Sequence, residues 1–412
     1  MKMKRLTAVL AALAIFLCTG AVRAEEKQTF FDADWYQQAL ADSVLSRGNN
    51  ERLQRVIERA KSGEEITLAV IGGSITEGVG APAYQACWAS RFRTRFGRLY
   101  GVNNGANVHL VNAGVKGTSS LFGIMRYQRD VLDRIPETDP DGLPDVVVIE
   151  YAVNDKGDPT KHRCYESLVK EILDAPNEPA VILLFSVFRN GFNIQYNMQR
   201  IGQTYQLMMI SIKDGIYPHI GKELTADGFY FDTEHPSALG HRIMADCLMR
   251  AVTEAAEAER DKPQVTARAP VFGTDFIGIK TIYGDTAAEE GFTVERGGFC
   301  SSDPDTFRNR PVGWVCGENF FHDAADPMEP LKVTGVFRKC LIAWKATNDQ
   351  AFGTIEILID GKCVKKLKGD KRKWGQSVPS LILDATGAQE HTLEIRVTEQ
   401  GKKFTITAIA LQ

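Results

Sequence analysis

Five apolar runs rich in β-branched residues recur along the first two thirds of the chain: ITLAVI (66–71), NVHLVN (107–112), DVVVIEYA (145–152), AVILLFSVF (180–188) and LMMISI (207–212). They are continuous rather than alternating, so a strand built from any of them is buried on both faces. The stretches between them, such as AYQACWASRFRTRFGRLYG and HRCYESLVKEILDA, have the length of helices. This alternation predicts an α/β fold, a parallel sheet covered by helices on both sides. An amphipathic helix is expected in NNERLQRVIERAKSGEE before the first run, and a closing helix in ALGHRIMADCLMRAVTEAAEAE.

The pattern changes after AERDKPQ. From about Pro263 the chain reads as short strands with turn residues, in GFTVERGGFC, LKVTGVFRKCLIAWKA, GTIEILIDGKCVKKLKG and HTLEIRVTEQGKKFTITAIAL. Asp360-Gly361 between two alternating runs is a two-residue hairpin signal. An all-β sandwich over residues 263–412 is expected, preceded by an α/β domain over 25–262. Trp314, Trp344 and Trp374 of the β region fit a sandwich core better than a sugar-stacking surface.

Residues 1–24 carry Lys2, Lys4 and Arg5, then an apolar stretch from Leu6 to Cys18, then small residues around Val22-Arg23-Ala24. That is the layout of a cleavable signal peptide, too short to favour a retained membrane anchor. An exported, soluble protein beginning near Glu25 is expected, secreted or periplasmic, and not integral to a membrane. With 44% hydrophobic and 25% charged residues the chain is neither disordered nor a multispan membrane protein. Without residues 1–24 it holds 45 basic against 52 acidic residues, about −7. No basic stripe and no zinc-spaced Cys/His cluster is present, which argues against nucleic-acid binding. Seven cysteines follow the signal, so at least one thiol stays free. Cys87, Cys164 and Cys247 read as buried and inert, while Cys300, Cys316, Cys340 and Cys363 leave three disulfide connectivities open.

The first apolar run ends in Gly72-Gly73-Ser74. A phosphate-binding P-loop is excluded, because Gly78 is followed by Val79 and no lysine. The dinucleotide fingerprint fails for want of a third glycine in register. A serine hydrolase needs an exposed hydroxyl, a histidine, an acid that orients it, and donors for an oxyanion. Candidates for each follow a strand of the same sheet. Ser74 follows the first run; Gly114 and Gly117 end the second; Asn154 and Asp155 end the third; Asp232 stands three residues before His235 in FDTEHPSALGH.

Four such blocks in this order resemble the SGNH (GDSL-like) hydrolase family, over roughly residues 50–258. The resemblance implies a flavodoxin-like three-layer αβα domain with a five-stranded parallel sheet, and an esterase or lipase needing no metal or organic cofactor. It implies Ser74 as nucleophile, His235 as general base and acid, and Asp232 as its orienting acid. The oxyanion hole would be formed by the amides of Ser74 and Gly114 and the side chain of Asn154. Two positions depart from the family pattern: its Gly-Asp-Ser is Gly72-Gly73-Ser74, and the glycine of its Gly-x-Asn-Asp is Ala152. Asp155 can be a purely structural hydrogen-bonding group.

Other residues are weighed against these. His241 reads as a packing residue, His109 as a buried strand residue, and His162, His219, His322 and His391 have no partner signal. Asp214 and Asp246 are rival acids to Asp232, while Glu234 should point elsewhere. Arg126, Arg189 and Asn190 either line the cleft or sit on a solvated surface. Export, together with a β region similar to the jelly-roll modules that accompany carbohydrate esterases, favours a carbohydrate O-acetylesterase acting on an acylated glycan or another small ester. Glycan contact through the β domain is a further expectation. Open alternatives are a lipase, lysophospholipase, aryl esterase or thioesterase on the same residues, an O-acetyltransferase, and a glycan-binding protein on an inactive scaffold.

Overall fold

A computed structural model describes residues 30–139, 141–285, 291–306, 318–371 and 376–412. The expected signal peptide, Cys316, Trp314 and Trp374 lie outside the described residues. The five apolar runs become the parallel strands β2 (Ile66–Gly72), β3 (Val108–Gly114), β4 (Val146–Glu150), β5 (Ala180–Phe185) and β6 (Met208–Ser211). A three-residue strand that the sequence did not signal, β1 (Val44–Ser46), pairs antiparallel with β6, and the sheet order is β1-β6-β5-β4-β2-β3.

The helices of this part are α1 (Asp34–Asp42), α2 (Glu51–Ser62), α3 (Ser74–Glu77), α4 (Trp88–Tyr100), α5 (Ser120–Asp130), α6 (Arg163–Leu173), α7 (Gln195–Tyr205), α8 (Ile212–Gly215), α9 (Ala226–Phe229) and α10 (Ala238–Glu257). Period-2 geometry divides each strand between two cores. Leu68, Val70, Val146 and Val148 pack with α2, α4 and α10, while Ala69, Ile71, Val147 and Ile149 pack with α5, α6 and α7. Both faces are therefore covered, as the continuous runs require. The chain leaves β2 for β3 on one side and returns to β4 on the other, so the strand order reverses at the carboxyl ends of β2 and β4. In open α/β sheets ligands bind at such a reversal.

Beyond α10 the described residues up to 279 form no regular element. A buried carboxylate fastens this connection: Glu166 accepts from the amides of Val271 at 2.7 Å, Phe272 at 2.6 Å and Gly273 at 2.9 Å, and from Tyr205 Oη at 3.0 Å. The C-terminal part is an antiparallel, all-β sandwich of β7 (Lys280–Ile282), β8 (Phe292–Glu295), β9 (Phe320–His322), β10 (Leu331–Ala346), β11 (Thr354–Ile359), β12 (Lys362–Lys368), β13 (Gln376–Val397) and β14 (Phe404–Leu411). Asp360-Gly361 turns the β11–β12 hairpin as expected. The strands are not uniformly short, however. β10 has 16 residues and β13 has 22, and shifts of register near Phe337 and Cys340 let the long pair bend rather than end.

Alternation along β10 and β14 also serves two cores. Cys340, Ile342, Ile409 and Leu411 fill the sandwich, whereas Leu341, Ala343, Ala408 and Ala410 join the core over α5 and α6. Trp344 is buried in the sandwich core and stacks on Phe404 at 5.8 Å. Cys87, Cys164 and Cys247 are buried, Cys340 is buried too, Cys300 and Cys363 are exposed, and all six are free thiols. Among the described residues no helix is long and apolar enough to cross a membrane.

Candidate active site

At the end of β2 the chain makes a turn through Gly73 into the one-turn helix α3, whose first residue is Ser74. As the opening residue, Ser74 has an amide without an intrahelical acceptor. The turn is held from beneath. Trp88, fully buried, donates its indole N–H to Ile75 O at 3.0 Å, and Thr76 Oγ1 donates to Glu150 Oε2 at 2.9 Å. Burial pushes the Glu150 carboxyl up to about 8, so at neutral pH it sits beneath the turn largely as the acid.

Across the reversal point, Asn154 lies against Gly73. A Cβ on Gly73 would come within 2.6 Å of Asn154 Oδ1 and 2.8 Å of its Nδ2, which no real contact tolerates. Asn154 Oδ1 is buried without a partner, and no described residue accepts from Nδ2, which leaves the amide N–H available. The neighbouring Asp155 is structural: buried, it accepts from Ser120 N at 2.8 Å and Ser120 Oγ at 2.5 Å, and so caps α5.

The segment before α10 brings the histidine in from the other side. His235 Nε2 is 2.9 Å from Ser74 Oγ, and His235 Nδ1 is 2.8 Å from Asp232 Oδ2. With the proton on Nδ1, the ring donates to the carboxylate and accepts from the serine hydroxyl. Asp232 Oδ1 also accepts from the amides of Glu234 at 2.7 Å and His235 at 2.8 Å. Burial would raise this carboxyl, but the hydrogen bonds from the His235 ring and the two amides outweigh it and hold Asp232 below its ordinary value. The loop is fixed by Phe231 N to His235 O at 2.8 Å and Arg189 N to Thr233 O at 3.1 Å.

Ser74, His235, Asp232 and Asn154 are therefore brought together, and one expected partner is not. Gly114 is a buried residue of β3 whose amide donates to Asn112 Oδ1 at 2.8 Å, so it cannot also serve an oxyanion. Gly117, three residues on, is exposed, has a φ of 69°, and lines a pocket of about 340 Å³ with Ser119, Asn154, Lys156 and, from the β domain, Val378 and Pro379. The rival acids are elsewhere. Asp214 accepts from Gln195 Nε2 at 2.6 Å and Asp246 from Tyr36 Oη at 2.5 Å and from Arg95.

His241 is a buried packing group that donates to Val79 O at 3.0 Å and accepts from Trp88 N at 3.3 Å; burial lowers it to about 4, so it stays neutral. His109 is only half-buried and pairs with Glu65, against the expectation of burial. Glu234 is exposed. Arg189 and Asn190 are exposed, with Arg189 paired to Asp227 at 2.7 Å. Arg126 is on neither a cleft wall nor a surface: it is fully buried and paired with Asp130 four residues on along the same helix.

Residues 70–243 match the GDSL-like lipase/acylhydrolase family. Among solved structures, the fold is similar over both domains to a two-domain esterase (CEX) active on acetylated mannans, with a TM-score of 0.77 and 23% identity over 90% of this chain and 97% of that one. The same esterase co-crystallized with mannopentaose gives a TM-score of 0.76 and 24% identity with the same coverage. A search of curated protein sequences finds no match. Residues 70–243 thus carry a GDSL-like lipase/acylhydrolase domain, the domain of an ester-hydrolysing enzyme.

Proposed function

We propose that this chain is an exported carbohydrate O-acetylesterase in which Ser74 is the nucleophile. The observation that carries this reading is the continuous hydrogen-bonded line Ser74 Oγ, His235, Asp232 beside Asn154 at the reversal point of the sheet. His235 Nε2 takes the hydroxyl proton as Oγ attacks the ester carbonyl. The amide N–H of Ser74, Asn154 Nδ2 and the amide of Gly117 receive the oxyanion. As the tetrahedral adduct collapses, His235 returns the proton to the departing sugar oxygen. Water then repeats the sequence on acetyl-Ser74 and releases acetate, while Asp232 holds the ring and balances the imidazolium.

Substrate class rests on several supports. The two-domain fold is shared with an esterase active on acetylated mannans, the pocket next to Asn154 is bounded partly by the β domain, and residues 1–24 have the layout of an export signal. The domains in this reading are 25–262 for hydrolysis and 263–412 for support and glycan contact.

The test is hydrolysis of p-nitrophenyl acetate, butyrate and octanoate, and of acetylated glycan oligosaccharides, by residues 25–412 and by Ser74→Ala. Acetyl-selective turnover lost in Ser74→Ala, with acetate released from a glycan, is expected. Preference for octanoate would instead mark a lipase, and glycan binding without any Ser74-dependent turnover would mark an inactive scaffold. Asn154→Ala should cost about 10²- to 10³-fold in kcat with the protein still folded.

A further inference from the structure

Helix α5 crosses beneath the carboxyl ends of three strands, and one side chain on it reaches all three. The Arg126 guanidinium, with no exposed surface, donates from Nη1 to Ala113 O at 2.6 Å, at the end of β3. From Nη2 it donates to Gly72 O at 3.1 Å, at the end of β2, and to Tyr151 Oη at 3.0 Å, just past β4. Its charge is met by Asp130 Oδ2, 2.6 Å from Nη1. Each tie lies within four residues of a group in the proposed chemistry. Gly72 is two residues before Ser74, Ala113 is four before Gly117, and Tyr151 is three before Asn154, whose amide donates to Tyr151 O at 2.9 Å.

A buried guanidinium is costly unless its hydrogen bonds are made and its charge is paired, and an apolar residue of similar volume would fill the space at less cost in desolvation. What an apolar side chain cannot do is bind two strand carbonyls and a phenol at fixed spacing. A lysine, with a compact ammonium in place of a planar fork, could not span them either. The helix that carries Arg126 is itself fixed at its start by Asp155 and pressed against Tyr151: a Cβ on Gly123 would come within 2.6 Å of Tyr151 Oη.

We propose that Arg126 is a positioning residue for acyl transfer, setting the spacing between the Ser74 turn, the Gly117 turn and the Asn154 loop through the ends of β2, β3 and β4. It touches no substrate and acts only through the oxyanion donors and the nucleophile. The inference rests on the reading of Ser74 as nucleophile.

The experiment is steady-state kinetics on p-nitrophenyl acetate for Arg126→Lys, Tyr151→Phe and Ser74→Ala, each with its thermal melt. Tyr151→Phe deletes one hydroxyl and retains the core, so it decides the matter if Arg126→Lys fails to fold. Expected is a fall in kcat of about 10- to 100-fold for Arg126→Lys, and a smaller fall for Tyr151→Phe, with KM within about twofold. Protein of these variants would melt cooperatively above the assay temperature. Folded Arg126→Lys or Tyr151→Phe with unchanged kcat, or with the loss confined to KM, overturns the positioning role. Activity surviving in Ser74→Ala would instead overturn the nucleophile assignment beneath it.

Discussion

Gly73 decides where Asn154 can sit. Its φ of −90° is open to any residue, so the demand for glycine is steric: the Asn154 amide occupies the volume of a Cβ. Gly73→Ala is expected to fold and to lose kcat by about 10- to 100-fold as Asn154, the proposed oxyanion donor, is pushed aside, read from kinetics beside a melting curve. Gly73→Asp, which restores the family's usual carboxylate, meets the same obstacle and should do no better. Sequence showed Gly73 only as a departure from the family's Gly-Asp-Ser, because the Asn154 contact spans 81 positions along the chain. Glu150 carries a second prediction at this scale. Its carboxyl is raised by burial from 4.5 to about 8, so the folded protein binds the extra proton across that interval. Stability therefore falls as pH rises from about 4.5 to about 8 and levels beyond it. Glu150→Gln should remove that dependence, melting higher than the parent at pH 8 and close to it near pH 4. A parallel fall of both proteins would show that Glu150 is not its source.

Secondary-structure elements were legible where burial is two-sided and long. Strands β2 to β6 appeared as continuous apolar runs, and the helices between them as the spacing those runs left. Three-residue β1 has too little pattern to register, and it is defined by pairing with β6 rather than by its own residues. β10 and β13 looked like several short strands because Gly335 and the bulges near Phe337 and Cys340 interrupt alternation without interrupting the ladder. The hydrogen-bonded line of Ser74, His235 and Asp232 was legible in part because Asp232 and His235 share one short loop. The resemblance pointed to Gly114 rather than Gly117 for the oxyanion hole, since only the fold shows that Asn112 engages the Gly114 amide. Likewise, nothing local marks Arg126 as buried. At this scale Glu166 is the fastening of the linker, and Glu166→Ala should strand three amides and lower stability by about 1–3 kcal/mol or more. A melt that drops several degrees, with KM for a small aryl acetate unchanged, is the expected result.

Both domains share a core, so the molecule is not a hydrolase with a loosely tethered module. Leu341, Ala343, Ala408 and Ala410 of the sandwich pack in one cluster with α5, α6 and the sheet beneath. Tyr283 Oη donates to Met125 O at 3.2 Å, and Arg129 pairs with Asp285 at 2.8 Å, so the β domain grips the helix that carries Arg126. An ion network of Arg163, Asp275, Lys339 and Asp384 closes the contact around Phe276. Residues 25–262 alone should expose that apolar face and aggregate or melt lower than the full chain, as size-exclusion chromatography and a thermal melt would show. A stable, fully active fragment would mean that the sandwich does not support the site. Rapid-quench mass spectrometry of residues 25–412 mixed with excess p-nitrophenyl acetate would catch the acyl-enzyme itself. A transient gain of one acetyl group is expected on the peptide that contains Ser74, absent in Ser74→Ala. Turnover with no acetylated intermediate in this peptide, or acetylation at another residue, would contradict it.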